Sequence, residues 1–288
     1  MYPASFEYHA ATSVAEALAL LAQYGDEAKL LAGGHSLIPV MKLRFASPAH
    51  LVDIARIPGL SSITDAGSAV HIGATARHAD VVASAVVRGK APLLSEVASH
   101  IGDPLIRNMG TIGGSLAHAD PAADLPSALL ALGATLVATG SGGTRTIAAD
   151  DFFTDVFATA LRANEILTEI RVPAQAAGSG GAYEKNPDPA SGYAIVGIAV
   201  QLQVAEGKIA AIRTGMTGLG PKAMRLAGVE GALTGQPATA ATLDAAAARA
   251  ADGLVLVDDA KGSAAYKANL ARVHARRALG RALAAAGA

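Results

Sequence analysis

Asn108-Met109-Gly110-Thr111-Ile112-Gly113-Gly114-Ser115-Leu116, followed closely by Asp120 and Asp124, is the stretch from which the rest of the chain can be read. Adjacent glycines flanked by Thr and Ser make a poor helix or strand interior and a good backbone cradle. Without Cβ atoms the backbone can take φ > 0 and approach a ligand closely, leaving successive N–H groups free to face an anion. The stretch therefore reads as a phosphate seat or as an ordinary glycine turn between two core segments. A second loop of the same make, Leu31-Ala32-Gly33-Gly34-His35-Ser36-Leu37, lies far upstream and favours the seat.

Two such loops, each just past an apolar segment, can hold the two halves of a pyrophosphate through backbone donors without a lysine. Ser36, Thr111 and Ser115 add hydroxyls. Neither loop carries the G-x-G-x-x-G of a Rossmann sheet or the G-x-x-x-x-G-K-[ST] of a P-loop, which excludes both of those nucleotide sites. Asp124 offers a carboxylate for ribityl or ribose hydroxyls, and it also stands where it could cap a helix beginning Leu125-Pro126-Ser127. Asp120, before Pro121, reads as a turn residue.

Composition narrows the chemistry. The chain has 288 residues, 51% of them hydrophobic, a formal net charge of −1, no Cys and no Trp. Dispersed charges leave no basic stripe for nucleic acid. No apolar run is long enough for an integral membrane segment. Met1-Tyr2-Pro3-Ala4-Ser5-Phe6-Glu7 has no secretory pattern, so a cytoplasmic location is expected. Lack of cysteine removes disulfides, thiolate nucleophiles and iron–sulfur ligation, and any electron handling must use an organic cofactor. His100 and His118 are isolated, with no metal-site spacing, and the other histidines read as surface or capping residues. No Ser-His-Asp or Cys-His set is present. Neither catalytic residues nor metal ligands are expected.

Along the chain, residues 12–24 read as a helix with Thr12 or Ser13 placed before Glu16, ended by Gly25. Ala28–Ala32 and Leu51–Ile54 read as strands of a small β-α-β unit whose glycine loop follows a strand. Strands are expected at 69–74, 134–139 and 165–173, helices at 77–87, 93–101 and 125–132, and a hairpin tip at Gly142-Gly143. Gln175–Gly181 has the most flexible composition and marks a boundary. Beyond it, 182–185, 194–202 and 208–213 read as strands or a buried helix, and 237–251 and 264–285 as Ala-rich helices. Mixed signals without strict alternation favour an α+β fold.

The segments KLLAGGHSLIPVMKLR, IGDPLIRNMGTIGGSLAHADPAADLP, NEILTEIRVP, AYEKNPDPASGYAIVGIAV and SAAYKANLARVHARRAL resemble the FAD-binding medium subunits of the molybdenum hydroxylases, the xanthine dehydrogenase family, with a particular likeness to the aerobic carbon monoxide dehydrogenase branch. The likeness covers essentially the whole chain. It implies a two-lobed FAD-binding domain of the vanillyl-alcohol-oxidase (PCMH) type over residues 1–177, with lobes of about 1–56 and 57–177. Residues 178–288 would form a C-terminal domain of antiparallel sheet and helical bundle.

By the same resemblance, Ala32, Gly33, Gly34, His35 and Ser36 form one pyrophosphate loop and Thr111, Ile112, Gly113, Gly114 and Ser115 the other. Asp124 falls at the ribityl chain, Ile101 and Leu167 along the flavin or adenine, and Lys185 and Tyr193 near the isoalloxazine. Without the resemblance, Lys185 reads as a solvated strand lysine and Tyr193 as a hinge or core tyrosine. His35 supports its loop, the alternative being the covalent FAD attachment known in distant flavoproteins of this fold. The run Asn186–Gly192 departs from the family, being turn-forming and slightly acidic where relatives are basic.

The function so implied is an electron-transfer subunit serving a large molybdenum-cofactor subunit and a small 2Fe-2S subunit, in a dimer of heterotrimers. Lys185 would favour the anionic reduced ring. The alternatives are a self-contained flavin oxidase of the same fold and a non-catalytic nucleotide-binding assembly module.

Overall fold

The computed structural model describes residues 2–287. Met1, and with it the outer limits 1 and 288 of the expected domains, lies outside the described residues.

The first lobe contains β1 (Glu7–Ala10), α1 (Val14–Tyr24), β2 (Ala28–Leu31), α2 (Leu37–Lys42) and β3 (His50–Asp53). Its strands form a parallel sheet in the order β1-β3-β2. The β-α-β unit is present, but β1 was not expected, because Glu-Tyr-His-Ala carries no apolar alternation. Ser13, rather than Thr12, caps α1: its Oγ accepts from Glu16 N at 3.1 Å, while Thr12 N–H and hydroxyl donate to Glu16 Oε2 at 2.7 and 2.6 Å. Gly25, at φ 52°, ends the helix. Ala17 faces inward, in a small core with Ala28, Val52 and Ile54.

The second lobe runs through β4 (Ile63–Asp65), β5 (Ala69–Gly73), α3 (His78–Ala83), α4 (Ala85–Lys90), α5 (Pro92–Ser99), α6 (Pro104–Met109), α7 (Ile112–His118), α8 (Leu125–Leu132), β6 (Thr135–Gly140), β7 (Gly143–Ala148), α9 (Ala149–Phe152), β8 (Phe153–Asp155), β9 (Ala158–Thr159) and β10 (Glu165–Pro173). The main sheet is antiparallel in the order β4-β5-β10-β6-β7. The single helix expected over 77–87 is broken at Ser84, whose hydroxyl instead accepts from Val87 N and starts α4. The glycine stretch is also different from expectation, since its Gly113-Gly114 pair lies in the first turn of α7, capped by Thr111. Helix α8 is buried on every side.

The third unit is the antiparallel sheet β11 (Ser179–Pro187), β12 (Ala194–Ala205) and β13 (Lys208–Thr217), with α10 (Ala227–Leu233), α11 (Ala240–Ala247) and α12 (Ala264–Ala285). All three ambiguous segments are therefore strands. The first seven residues of β12 are buried on alternating sides without interruption, because β12 packs against both α8 and α12. The flexible boundary is shorter than its composition implies: Ser179, Gly180 and Gly181 belong to β11. A Cβ on Gly180 would run into the Ala282 carbonyl and lie 2.8 Å from Ala285 C, so the glycine lets α12 lie on the strand.

Candidate cofactor site

The first glycine loop follows the C-terminal end of β2 and leads into α2. Among the described residues, the backbone N–H groups of Gly33, Gly34, His35 and Ser36 make no hydrogen bond within the chain. Gly34 sits at φ 72°, where a side chain is strained, and consecutive donors in such a turn form an anion-binding concavity. His35 Nδ1 bonds Gly33 O at 2.9 Å, the loop-supporting role expected of it. A Cβ on Gly33 would be driven into the Met109 carbonyl and lie 2.8 Å from Gly110 Cα. The two glycine loops, some 75 positions apart in the chain, are thus in backbone contact.

The second loop is not equivalent to the first. Ile112 N donates to Ala76 O at 2.9 Å, Gly113 N to Ala74 O at 2.8 Å and Ser115 N to Thr111 O at 3.0 Å. Gly114 N reaches the capping Thr111 Oγ1 at 3.2 Å. The expected row of free N–H groups is therefore corrected here: the chain itself engages them, two in pinning the start of α7 to the Ala74–Ala76 segment after β5 and two on Thr111. What this loop presents is glycine surface and the Ser115 side chain. A Cβ on Gly113 would press on Ala74, with 2.5 Å to its Cβ.

Asp124 is buried, and its side chain caps nothing, which corrects the helix-cap reading. Its Oδ1 accepts from Tyr183 Oη at 2.5 Å and its Oδ2 from Lys185 Nζ at 2.9 Å. Tyr183 and Lys185 are two apart on β11 and so share a face. Glycine at 197, paired with Lys185 across the ladder, leaves room for the Tyr183 ring. Lys185 also donates to His100 O at 3.1 Å, and its side chain is only 4% exposed, so the solvated-lysine reading is wrong. Burial raises the Asp124 carboxyl above the ordinary carboxylate range, against the pull of the Lys185 ammonium. Burial also holds the Tyr183 phenol far above its usual value, so it remains a donor. The loop carrying Asp124 is fastened by the third unit: Thr217 Oγ1 donates to Pro121 O and Ala123 O, and Gly218 N to Pro121 O at 2.8 Å.

A cavity of about 620 Å³ opens between the lobes. Ala32, Gly33, Gly34, His35, Ser36, Ile101, Thr111, Gly113, Gly114, Ser115, Asp124, Leu167 and Tyr193 all line it. Two expected residues do not: Ile112 is fully buried in the second-lobe core, and Lys185 stands behind Asp124. Tyr193 is delivered by the 186–192 turn, in which Asp188 Oδ1 accepts from Ala190 N and Ser191 N at 2.9 Å each. The turn-forming reading of that run holds. Asp120 Oδ1 accepts from Ala122 N at 2.8 Å, as a turn residue does.

Sequence reasoning missed His78, Phe157 and Tyr183. His78 is buried in the cavity wall under Gly110, and burial pulls its pKa down to about 4, helped by His35 and Arg107. Its surface-or-capping reading is therefore corrected. Phe157 packs near His118, ring centroids 5.0 Å apart. The alternation of β11 held the signal for Tyr183, since any strand that aims Lys185 at a site aims the residue two before it the same way.

These residues fit FAD. The unpartnered N–H row and a glycine where a Cβ would collide with backbone suit a pyrophosphate, the buried carboxylate suits polyol hydroxyls, and Ile101, Ile106 and Leu167 offer apolar walls.

Comparison with known proteins agrees. Residues 4–175 match the family described as FAD binding domain in molybdopterin dehydrogenase, and residues 181–282 match the CO dehydrogenase flavoprotein C-terminal domain. The chain is 46% identical to a carbon monoxide dehydrogenase medium chain of Hydrogenophaga pseudoflava, covering 97% of each. It is 41% identical to subunit alpha of the 6-hydroxypseudooxynicotine dehydrogenase complex of Paenarthrobacter nicotinovorans, over 98% of this chain and 96% of that one. The solved carbon monoxide dehydrogenase of Hydrogenophaga pseudoflava lacking the Mo-pyranopterin moiety superposes with a TM-score of 0.96 at 47% identity, covering 99% of both chains. With two glycine loops meeting over a cavity between the lobes and both parts of the chain matched, this protein belongs to the FAD-binding flavoprotein subunits of the molybdopterin dehydrogenases.

Proposed function

We propose that this chain is the electron-transfer subunit of a molybdenum-containing hydroxylase or dehydrogenase complex, taking electrons from partner iron–sulfur clusters and passing them to an external acceptor. Bound FAD supplies the redox chemistry, and the chain supplies position and electrostatics. The observation that carries this reading is the cavity's fit to FAD, with the unpartnered N–H row of Gly33–Ser36 and two carboxylates occupied by the chain's own cations in its wall. Asp124 is held by Tyr183 and Lys185, and both oxygens of Glu165 by Arg145, at 2.7 and 2.8 Å. These contacts hold the shape of the cavity wall, and Asp120, which also lines it, is engaged by Ala122 N.

In this reading Ala32–Ser36 and Thr111–Ser115 flank the pyrophosphate, with the first loop donating most of the hydrogen bonds. Asp124 meets the ribityl chain, Ile101 and Leu167 the apolar rings, and Tyr193 a ring face. Lys185 acts through Asp124, its ammonium being neutralised there, so the direct tuning of the flavin by a free lysine is weakened. Residues 1–177, in lobes of about 1–56 and 57–177, would hold the cofactor, and 178–288 would close over it. The partners would be a large molybdenum-cofactor subunit and a small 2Fe-2S subunit, in a dimer of heterotrimers located in the cytoplasm.

The test is purification of the tagged chain from its own cells. Co-purification of two further chains containing molybdenum and iron, with flavin reduced by substrate only when all three are present, is the expected result. Turnover of an organic donor by the isolated chain would overturn it in favour of a self-contained oxidase. A colourless protein unable to take up FAD would favour an assembly module.

A further inference from the structure

At the end of the first-lobe sheet opposite the glycine loop, three chemically active side chains converge although their sequence spacing shows no metal motif. Glu7 and His9 lie two apart on β1, so they share a face, and the register places Glu7 directly beside His50 on β3. His9 Nε2 is 3.1 Å from His50 Nδ1, and Glu7 Oε2 is 3.5 Å from His50 Nδ1 and 4.0 Å from His9 Nε2. Four-coordinate zinc with bonds of about 2.0–2.1 Å places neighbouring ligand atoms roughly 3.3–3.4 Å apart. The two imidazole nitrogens and the carboxylate oxygen are near that triangle before any ion is added. Tyr24, from the end of α1, stacks on the His50 ring at 3.7 Å and fixes its plane.

We propose that Glu7, His9 and His50 form a structural site for a borderline divalent transition ion of the zinc type. Two imidazoles and one carboxylate select such an ion over magnesium or calcium, which prefer all-oxygen ligand sets. The histidine side chains are 21% and 13% exposed and the glutamate 72%, so the glutamate can adjust and the fourth position opens to water. When the ion binds, the hydrogen bond between the two histidines is given up, and each imidazole presents that nitrogen's lone pair and carries its N–H on the other ring nitrogen. The ion would clamp β1, a four-residue strand at the sheet edge, onto β3. The glycine loop follows the opposite end of the same sheet, about 10 Å along the strands, so the site serves the first lobe and leaves flavin content unchanged.

The experiment uses the full flavin-loaded chain, stripped with chelator and titrated with Zn2+ against a chromophoric competitor. One Zn2+ per chain is expected in the wild type. Glu7→Gln, His9→Gln and His50→Gln should each weaken uptake about tenfold or more, with flavin content unchanged. Glu7→Gln changes an exposed side chain and keeps the fold, so its result stands even where a histidine variant is unstable. Co2+ in place of Zn2+ should give visible ligand-field bands that Glu7→Gln alters. Absence of stoichiometric uptake by the wild type, or uptake equal in wild type and Glu7→Gln, would overturn the proposal.

Discussion

Lys185 and Asp124 show how strongly a single buried pair can constrain this protein. Removing the ammonium leaves a carboxylate without its cation in a dry site, a change that costs about 3–5 kcal/mol in comparable cases. Lys185→Met should therefore be strongly destabilising, and Asp124→Asn added to it should recover most of the loss, measured as a double-mutant cycle by urea unfolding. His78 makes a separate prediction. Its pKa is about 4 in the fold and near 6.5 in an unfolded chain, so the unfolded state binds the extra proton as pH falls between those values. Stability should be full above about pH 6.5 and decline toward pH 4, by ~3 kcal/mol from this residue. His78→Gln should flatten that limb in unfolding curves taken across the range. Both residues were open to misreading: a strand lysine and a lone histidine carry no sign of burial, which comes only from what the fold lays over them.

At the scale of elements, the glycines report close approaches that composition reads as flexibility. Gly180 sits in a run that looks like a linker, yet it is the contact point between β11 and α12. Gly180→Leu should force the helix off the strand, an overpacking that costs about 1–3 kcal/mol or more where backbone is the obstacle. Limited proteolysis should then cut within 264–285 before other segments. The glycine stretch at 110–114 behaves likewise. Its residues enter a helix because Thr111 caps it and Ala74 and Ala76 accept two of its N–H groups, none of which is visible from local propensity. Regular periodicity, by contrast, placed α8 and α12 to the residue, since each has a long buried face, and β10 likewise despite a bulge between Leu167 and Glu169.

For the whole molecule, the cavity lies between the small first-lobe core and the second-lobe core around α8, while the third unit, with its own core under α12, contributes the Ser191–Tyr193 turn to the wall. A ligand that bridges the lobes binds the folded state alone, so FAD should raise the thermal midpoint in a concentration-dependent way. At a hundredfold excess over Kd the gain is about 2.7 kcal/mol. Gly33→Val, which drives a side chain into the Met109 carbonyl, should lose retained flavin and with it this shift. An unchanged flavin-to-protein absorbance ratio in that variant would remove the paired-loop argument.

The sequence by itself determined the α+β class, the two glycine loops, the organic cofactor and thirteen of the residues that line the cavity. These follow from glycine stereochemistry, hydrophobic period and the absence of cysteine, all local or compositional properties, together with quoted segments resembling a known family. Only the tertiary structure decided that the first loop keeps its N–H groups free while the second is bonded to the segment after β5, that Lys185 is paired with Asp124, and that His9 and His50 stand 3.1 Å apart. Each of these depends on which distant segments the packing brings side by side, and strand register and loop contact are settled by burial over the whole chain rather than by any stretch of it.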